Sequence, residues 1–267
     1  MSQPTLSYSV LHLYPRVLSV AGDRGNLMAL LQRSRWRGIE VAVTEVEVGQ
    51  DAECAAFDLI LFHGGQDREM GLAAADLSQR RESLQQAADS DVVILAVCAG
   101  LQLLGHYYEA PSGERLEGVG ILDLHTKAGP SRFMNHIAIR CDFAGGEART
   151  LVGFENHSGR TYLGPQALPL GLVLAGHGNN GEDSGEGARS RQIYASYLHG
   201  PLLPKNPWLA DHLIAMALRH RYREEMALDP LPDALEERAH RAALETAYRS
   251  DGRGTALPAT SWKPVAS

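Results

Sequence analysis

The sequence lacks the features that mark secreted, membrane and metal-thiolate proteins. Its 267 residues include 3 cysteines, Cys54, Cys98 and Cys141, without a Cys-x-x-Cys spacing, which argues against a disulfide framework or a zinc site. The longest apolar run begins at Val92 and ends around Cys98, far short of the roughly 20 residues that cross a bilayer. The N-terminus does not resemble a signal peptide. We therefore expect a cytoplasmic protein with at least one free thiol.

Nucleic-acid binding and nucleotide chemistry are also disfavoured. The formal net charge is −7, and the lysines and arginines are scattered, so no basic stripe is available to neutralise phosphates. The sequence contains no G-x-x-x-x-G-K-[ST] phosphate loop. A content of 44% hydrophobic and 21% charged residues is ordinary for a globular enzyme. We expect no nucleic-acid partner, no metal and no cofactor in this chain.

Short apolar runs alternate with helical patterns in the first half of the chain. Strands are predicted at residues 9–14, 39–46, 57–63 and 91–97, and helices at residues 26–36 and 73–88. Strand followed by helix, repeated, is typical of a parallel sheet between helices. The expected fold class is α/β, with an open, mostly parallel sheet covered by helices on both faces.

The second half contains glycine-bounded β-like stretches. Residues 132–141 and 170–176 are predicted to add strands at a sheet edge, before a last strand at 192–198 and a helix at 207–221. The glycine-rich residues 176–187 favour a flexible surface loop or a contact with a partner.

The C-terminal part is predicted to form an appendage. The segment Asp233-Ala-Leu-Glu236 has the pattern of a capping box for a helix that reaches about Tyr248, and Pro230 and Pro232 separate it from the main body. Residues 250–267 have the composition of a flexible tail. We therefore expect a main domain at residues 1–222 and an appendage at residues 223–267.

Cys98 has the sequence context of a nucleophile elbow, the tight turn that joins a strand to a helix. It follows the buried run that begins at Val92, and the positions two before and two after it are the small residues Ala96 and Gly100. A helix N-terminus favours the thiolate over the thiol. The same geometry predicts that the N–H of Ala99 stabilises an oxyanion, with Gly65 in the earlier glycine loop as a second donor.

His199 is the predicted partner of this nucleophile. It follows the last predicted strand, and the carboxyl ends of parallel strands meet at one edge of a sheet, where Cys98 is also expected. A histidine in this position can take up the thiol proton and return it to a leaving amine. Of the 11 histidines, His63 is a further candidate to line the site, although its position favours a structural role.

Three motifs resemble those of the class I, or triad, glutamine amidotransferases: Gly64-Gly-Gln-Asp67, Cys98-Ala-Gly-Leu-Gln102 and Tyr197-Leu-His-Gly200. Three more are similar to the cobyric acid synthase-type branch, and most closely to the GatD-type glutaminase subunits of lipid II isoglutaminyl synthases: Gly22-Asp-Arg-Gly-Asn26, Phe154-Glu-Asn-His157 and Gly178-Asn-Asn-Gly-Glu-Asp183. Together they extend over most of residues 8–222.

The resemblance implies that glutamine is hydrolysed to glutamate and ammonia through a thioester on Cys98. It implies a heterodimer with a Mur-ligase-like, MurT-type subunit that holds ATP and Mg²⁺ and amidates the D-glutamate α-carboxyl of the lipid II stem peptide, which would bring the complex near the inner face of the membrane. By matching position, Arg132 would bind the glutamine α-carboxylate through its forked guanidinium, and Gln102 would line the pocket.

One departure concerns the third member of the triad. Many class I enzymes have a glutamate two residues after the histidine, where this sequence has Pro201. A third member must come from elsewhere or be absent. The residues leave three alternatives open: a glutaminase for another amidotransferase such as cobyric acid synthase, a stand-alone cysteine amidohydrolase, and a binding module without activity.

Overall fold

The computed structural model describes residues 5–19, 23–143 and 148–252. Its strands, in chain order, are β1 (Ser7–Leu13), β2 (Glu40–Val46), β3 (Leu59–Phe62), β4 (Val93–Val97), β5 (Tyr107–Glu109), β6 (Arg115–Glu117), β7 (Leu124–Cys141), β8 (Arg149–Leu163), β9 (Gly171–Ala175), β10 (Gly185–Glu186), β11 (Ala188–Ser190) and β12 (Ile193–Ser196). Its helices are α1 (Arg24–Trp36), α2 (Asp67–Gln79), α3 (Arg81–Asp89), α4 (Ala99–Leu104), α5 (Leu202–Lys205), α6 (Pro207–Tyr222) and α7 (Ala234–Ser250). Among the described residues, no helix is both long and apolar enough to cross a membrane.

The first sheet confirms the predicted α/β class. Its strand order is β11-β12-β4-β3-β1-β2, and every neighbouring pair is parallel except the edge pair of β11 and β12. Alternate residues of β4 divide between two cores, because successive side chains of a strand point to opposite faces. Ile94 and Ala96 pack in the core that includes α2, α3 and α4, whereas Val93 and Leu95 pack in the core of α1, α5 and α6.

The expectation that residues 132–141 and 170–176 extend the first sheet was wrong. They belong to β7 and β9 of a second sheet, with the order β10-β9-β7-β5-β6 and β8 paired with β7. The long strand β8 was missed because it buries polar side chains, so its hydrophobic alternation is weak. Glu155 is fully buried there, and its carboxylate accepts the backbone N–H of His177 at 3.0 Å.

The single helix predicted at residues 73–88 is two helices, α2 and α3, with a break at Arg80. The backbone of Arg80 has φ −96° and ψ 5°, outside the helical range, so it ends one helix and precedes the next. Its buried guanidinium donates to the carboxylate of Asp76 at 2.8 Å and to the backbone carbonyl of Gln50. These tertiary contacts hold a break that helix propensity alone does not indicate.

The surface loop predicted at residues 176–187 is confirmed in part: residues 181–184 are exposed, residues 178–180 and 185–187 are buried, and the alternative of a partner contact stays a prediction. The side chain of Asn179 is buried and bonds both backbone groups of Gly187, each at 2.8 Å. The neighbouring Asn180 is buried too, and its amide donates to the carbonyl of Thr161 at 3.0 Å. The glycines belong to an ordered loop between β9 and β10. Asparagine side chains form the hydrogen bonds that the buried backbone groups of this loop require.

Helix α7 packs on the second sheet, where Ala247 and Tyr248 join a small core with Ala138 and Val152. The helix begins where the capping box predicted, but Asp233 makes no capping hydrogen bond. Its carboxylate instead accepts two hydrogen bonds from Arg33 of α1, at 2.8 and 2.6 Å. The domain boundary at residues 222 and 223 stays a prediction, and residues 253–267 of the expected tail lie outside the described residues.

We predict that Arg33→Leu lowers the free energy of unfolding by about 2–4 kcal/mol, because it removes the cation shared by two carboxylates. The Arg33 side chain is 5% exposed and bonds Asp211 as well as Asp233, so the variant leaves Asp233 without its partner. The measurement is the urea unfolding midpoint. Arg35→Leu, the same change at an exposed position of α1, is the control. Equal midpoints for the two variants would show that the ion pairs add nothing.

Candidate active site

The structure brings five of the six predicted site residues to one cavity of about 760 Å³: Gly65, Cys98, Gln102, Arg132 and His199. The sixth, Ala99, follows Cys98 in the chain and begins α4. Strands β3, β4 and β12 of the first sheet end at this cavity, and its other residues come from α2 and α4 and from β5, β7 and β8 of the second sheet. The site therefore lies at the carboxyl edge of the parallel sheet, as expected for an open α/β fold.

Cys98 occupies a strained turn between β4 and α4. Its backbone has φ 53° and ψ −103°, in a region that residues other than glycine rarely adopt. The turn tolerates only small neighbours, since a Cβ added at Gly100 would lie 2.7 Å from the Cβ of Phe62 and 3.3 Å from that of Ala96. The predicted elbow geometry is confirmed. It holds the sulfur at the end of the strand, next to the N-terminus of α4.

The two predicted oxyanion donors are available for a ligand. Among the described residues, the N–H groups of Gly65 and Ala99 have no hydrogen-bond partner. Gly64, by contrast, donates its N–H to the carboxylate of Asp23 at 3.3 Å. The glycine loop after β3 therefore has one N–H that binds Asp23 and a following one with no partner in the described ranges, as the predicted role requires.

His199 follows β12 and is 2% exposed. Its Nδ1 lies 3.1 Å from Oδ2 of Asp23, which is 1% exposed. Burial disfavours the charged ring, but attraction to Cys98 and hydrogen bonds to Asp23 and Cys98 outweigh burial and raise the pKa of His199 to about 10. The imidazole is thus held as a proton donor between a sulfur and a carboxylate.

Asp23 is the third member of this constellation, and the sequence did not single it out. It stands in the motif Gly22-Asp-Arg-Gly-Asn26, whose first residue is outside the described part of the chain. The same motif holds the loop after His199: a Cβ at Gly25 would lie 2.5 Å from Cγ of Pro201, and Asn26 accepts the N–H of Leu203 at 2.8 Å. A carboxylate directly before α1, the helix that follows β1, was the available signal.

The predicted substrate-binding residues have different surroundings. Arg132 is exposed, and one guanidinium nitrogen donates to Oδ1 of Asn156 at 3.0 Å, which leaves the others for a ligand. Gln102 is buried, and its amide donates to the Tyr197 hydroxyl at 3.0 Å. That hydroxyl is also 2.7 Å from Thr161, so Gln102 belongs to a hydrogen-bonded network beneath the cavity as well as to its wall.

Strand β8 contributes cavity residues that sequence reasoning did not assign. His157 stacks on Tyr197 with ring centroids 3.7 Å apart, and burial lowers its pKa to about 3, so it stays neutral. Gly159 allows a close approach, because a Cβ there would lie 2.6 Å from Nε2 of Gln102. The motif Phe154-Glu-Asn-His157 was the signal for this segment.

His63 does not line the cavity. It is buried, and its Nδ1 lies 3.1 Å from Nε2 of His12, which agrees with a structural histidine. Within the described parts of the chain, no group of three or more histidine, cysteine, aspartate or glutamate side chains is arranged to hold a metal ion.

A family model described as the CobB/CobQ-like glutamine amidotransferase domain matches residues 9–207 of the chain. The chain belongs to this family. It is therefore a glutamine amidotransferase, and the family resemblance read from the sequence motifs is confirmed.

Two similar proteins are named as the GatD subunit of a glutamine-hydrolysing lipid II isoglutaminyl synthase. The one from Streptococcus pneumoniae is 38% identical over 231 residues, covering 86% of this chain and 87% of its own length. The one from Staphylococcus aureus is 38% identical over 213 residues, covering 80% and 85%. A cobyric acid synthase from Rhodobacter capsulatus is 30% identical over 153 residues, but only 30% of its length is covered.

A chain in the structure of PurLQS from Thermotoga maritima shares the fold of this amidotransferase. The TM-score is 0.52 at 13% identity, and the match covers 83% of this chain and all of the other.

Proposed function

We propose that this amidotransferase is the glutaminase subunit of a lipid II isoglutaminyl synthase. The observation that carries the proposal is the pair Cys98 and His199 at one cavity, with Asp23 bonded to His199, in a chain that matches GatD subunits over most of both lengths. The similarity to the GatD subunits extends beyond the residues matched by the family model, whereas similarity to cobyric acid synthase covers a minority of that protein.

In the proposed reaction, the Cys98 thiolate adds to the side-chain carbonyl carbon of glutamine. The N–H groups of Ala99 and Gly65 stabilise the resulting oxyanion. When the carbon–nitrogen bond breaks, the leaving nitrogen takes the proton of the His199 imidazolium and departs as ammonia, leaving a glutamyl thioester. His199, now neutral, takes a proton from water as the hydroxide adds to the thioester. The carbon–sulfur bond then breaks and restores the thiolate, while the glutamate carboxyl releases its proton to solvent.

The ammonia would pass to a Mur-ligase-like, MurT-type partner in the cytoplasm. That partner would hold ATP and Mg²⁺ and activate the D-glutamate α-carboxyl of the lipid II stem peptide, since the sequence of the present chain has no phosphate loop.

The test is to purify the chain together with the Mur-ligase-like protein of the same genome. Glutamine labelled with nitrogen-15 at the side-chain amide is supplied with ATP, Mg²⁺ and lipid II, and the label is followed by mass spectrometry. We expect the label in the α-amide of the stem peptide. Labelled ammonia without a complex would favour a stand-alone cysteine amidohydrolase, and transfer only to a corrinoid acid would favour a cobyric acid synthase-type role.

A further inference from the structure

The cavity at Cys98 has charges of both signs. Its lining residues include the cations Arg68 and Arg132, and among the described side chains Glu69 is the only carboxylate. Glutamine also carries both charges on its α-carbon, an ammonium and a carboxylate. The proposed role of Arg132 accounts for the carboxylate alone. Burying the ammonium in this cavity without an acceptor would cost binding free energy, so the site needs a group that accepts its hydrogen bonds.

Glu69 is close to the predicted oxyanion donor. It belongs to the first turn of α2, directly after the glycine loop, and a Cβ added at Gly65 would lie 3.8 Å from the Cβ of Glu69. Glu69 is half-buried. One short segment of chain therefore carries a donor for the side-chain carbonyl of glutamine and an acceptor beside it, while Arg132 comes from β7 of the other sheet.

The Glu69 carboxylate makes no hydrogen bond or ion pair with any described residue. The other buried acidic groups nearby are already bound. Asp23 accepts from His199, Glu155 bonds His177 at 2.6 Å, and Glu186 accepts the N–H of Tyr197 at 2.6 Å. Within the described part of the chain, this cavity carboxylate has no partner and is the acceptor that remains for a cationic ligand group.

We propose that Glu69 binds the α-ammonium of glutamine and so determines specificity for an α-amino acid amide. The inference rests on the proposed glutaminase function and extends it to a residue of substrate recognition. Charge-assisted hydrogen bonds orient a substrate more strongly than neutral ones. Arg132 and Glu69 together would fix both α-substituents, and with them the position of the side-chain carbonyl at Cys98.

The experiment uses the purified complex and three amides: glutamine, glutaramate, which lacks the α-ammonium, and 4-aminobutanamide, which lacks the α-carboxylate. For Glu69→Gln, kcat/KM for glutamine should fall by about 10- to 100-fold, mainly through KM, while that for glutaramate stays within about two-fold. For Arg132→Gln, kcat/KM should fall to a similar degree for glutamine and for glutaramate, whereas kcat/KM for 4-aminobutanamide should change little.

Glu82→Gln is the matched control, because Glu82 is also an acid in a first helical turn, that of α3, and lies outside the cavity. This variant should leave kcat/KM unchanged for all three substrates. If Glu69→Gln lowers kcat/KM equally for glutamine and for glutaramate, Glu69 has a structural role and the inference is overturned. Wild-type protein that hydrolyses glutaramate as well as glutamine would overturn it without any variant. Wild type that releases no ammonia from glutamine contradicts the proposed function itself.

Discussion

Cys98→Ala is expected to lower the kcat of glutamine hydrolysis by at least about 10⁴-fold, because it removes the sulfur on which the proposed thioester route depends. The fold should survive, since the change only removes the sulfur atom. Cys98 is 8% exposed and lies at the cavity, so the smaller side chain causes no steric conflict. Ammonium chloride should still support amidation of lipid II by the complex. The measurements are glutamate release from glutamine and, separately, amide formation from ammonium.

The matched controls are Cys54→Ala and Cys141→Ala. Both thiols are buried, and burial raises the pKa of each, which disfavours the nucleophilic thiolate. We expect both variants to keep glutaminase activity, with losses confined to stability. Glutamine hydrolysis that persists in Cys98→Ala and disappears in either control would place the chemistry at another thiol.

The elbow could be predicted from the sequence because its determinants are contiguous. A buried strand, Cys98, and the small residues Ala96 and Gly100 occupy one stretch of chain, and steric limits on the turn act between close neighbours. The same holds for the parallel strands, whose apolar runs are unambiguous. Such features can be predicted from a local sequence pattern because the interactions that determine them lie within one segment of the chain.

The third member and the second sheet could not be predicted in this way. Asp23 and His199 are 176 residues apart, and their contact depends on how the start of α1 packs against the segment that follows β12. Pro201 occupies the position where a nearby glutamate is usual, so local spacing pointed to no acid. Strand β8 could not be predicted because its buried polar residues interrupt the hydrophobic alternation of a strand. Glu155 is one of them, and its hydrogen-bond partner His177 is remote in sequence.

Asp23→Asn should lower kcat by about 10²- to 10⁴-fold while leaving the cavity intact. The carboxylate accepts from Nδ1 of His199 and is one of the causes that raise the pKa of that ring to about 10. Below this pH the folded protein holds the imidazolium, and above it the proton is lost. Without the carboxylate, the pKa of His199 falls and its ring loses the proton at a lower pH. The alkaline limb of the kcat/KM profile should therefore move to lower pH.

The decisive measurement is the pH profile of kcat/KM for glutamine, with alkylation of Cys98 by iodoacetamide followed over the same range. Asp58→Asn is the matched control, because Asp58 is also buried and its carboxylate bonds Nδ1 of His220 at 2.9 Å, away from the cavity. It should reduce stability without moving the profile. If Asp23→Asn leaves kcat within about three-fold and the profile in place, Cys98 and His199 act as a pair, and Asp23 only helps to pack the loop after β1.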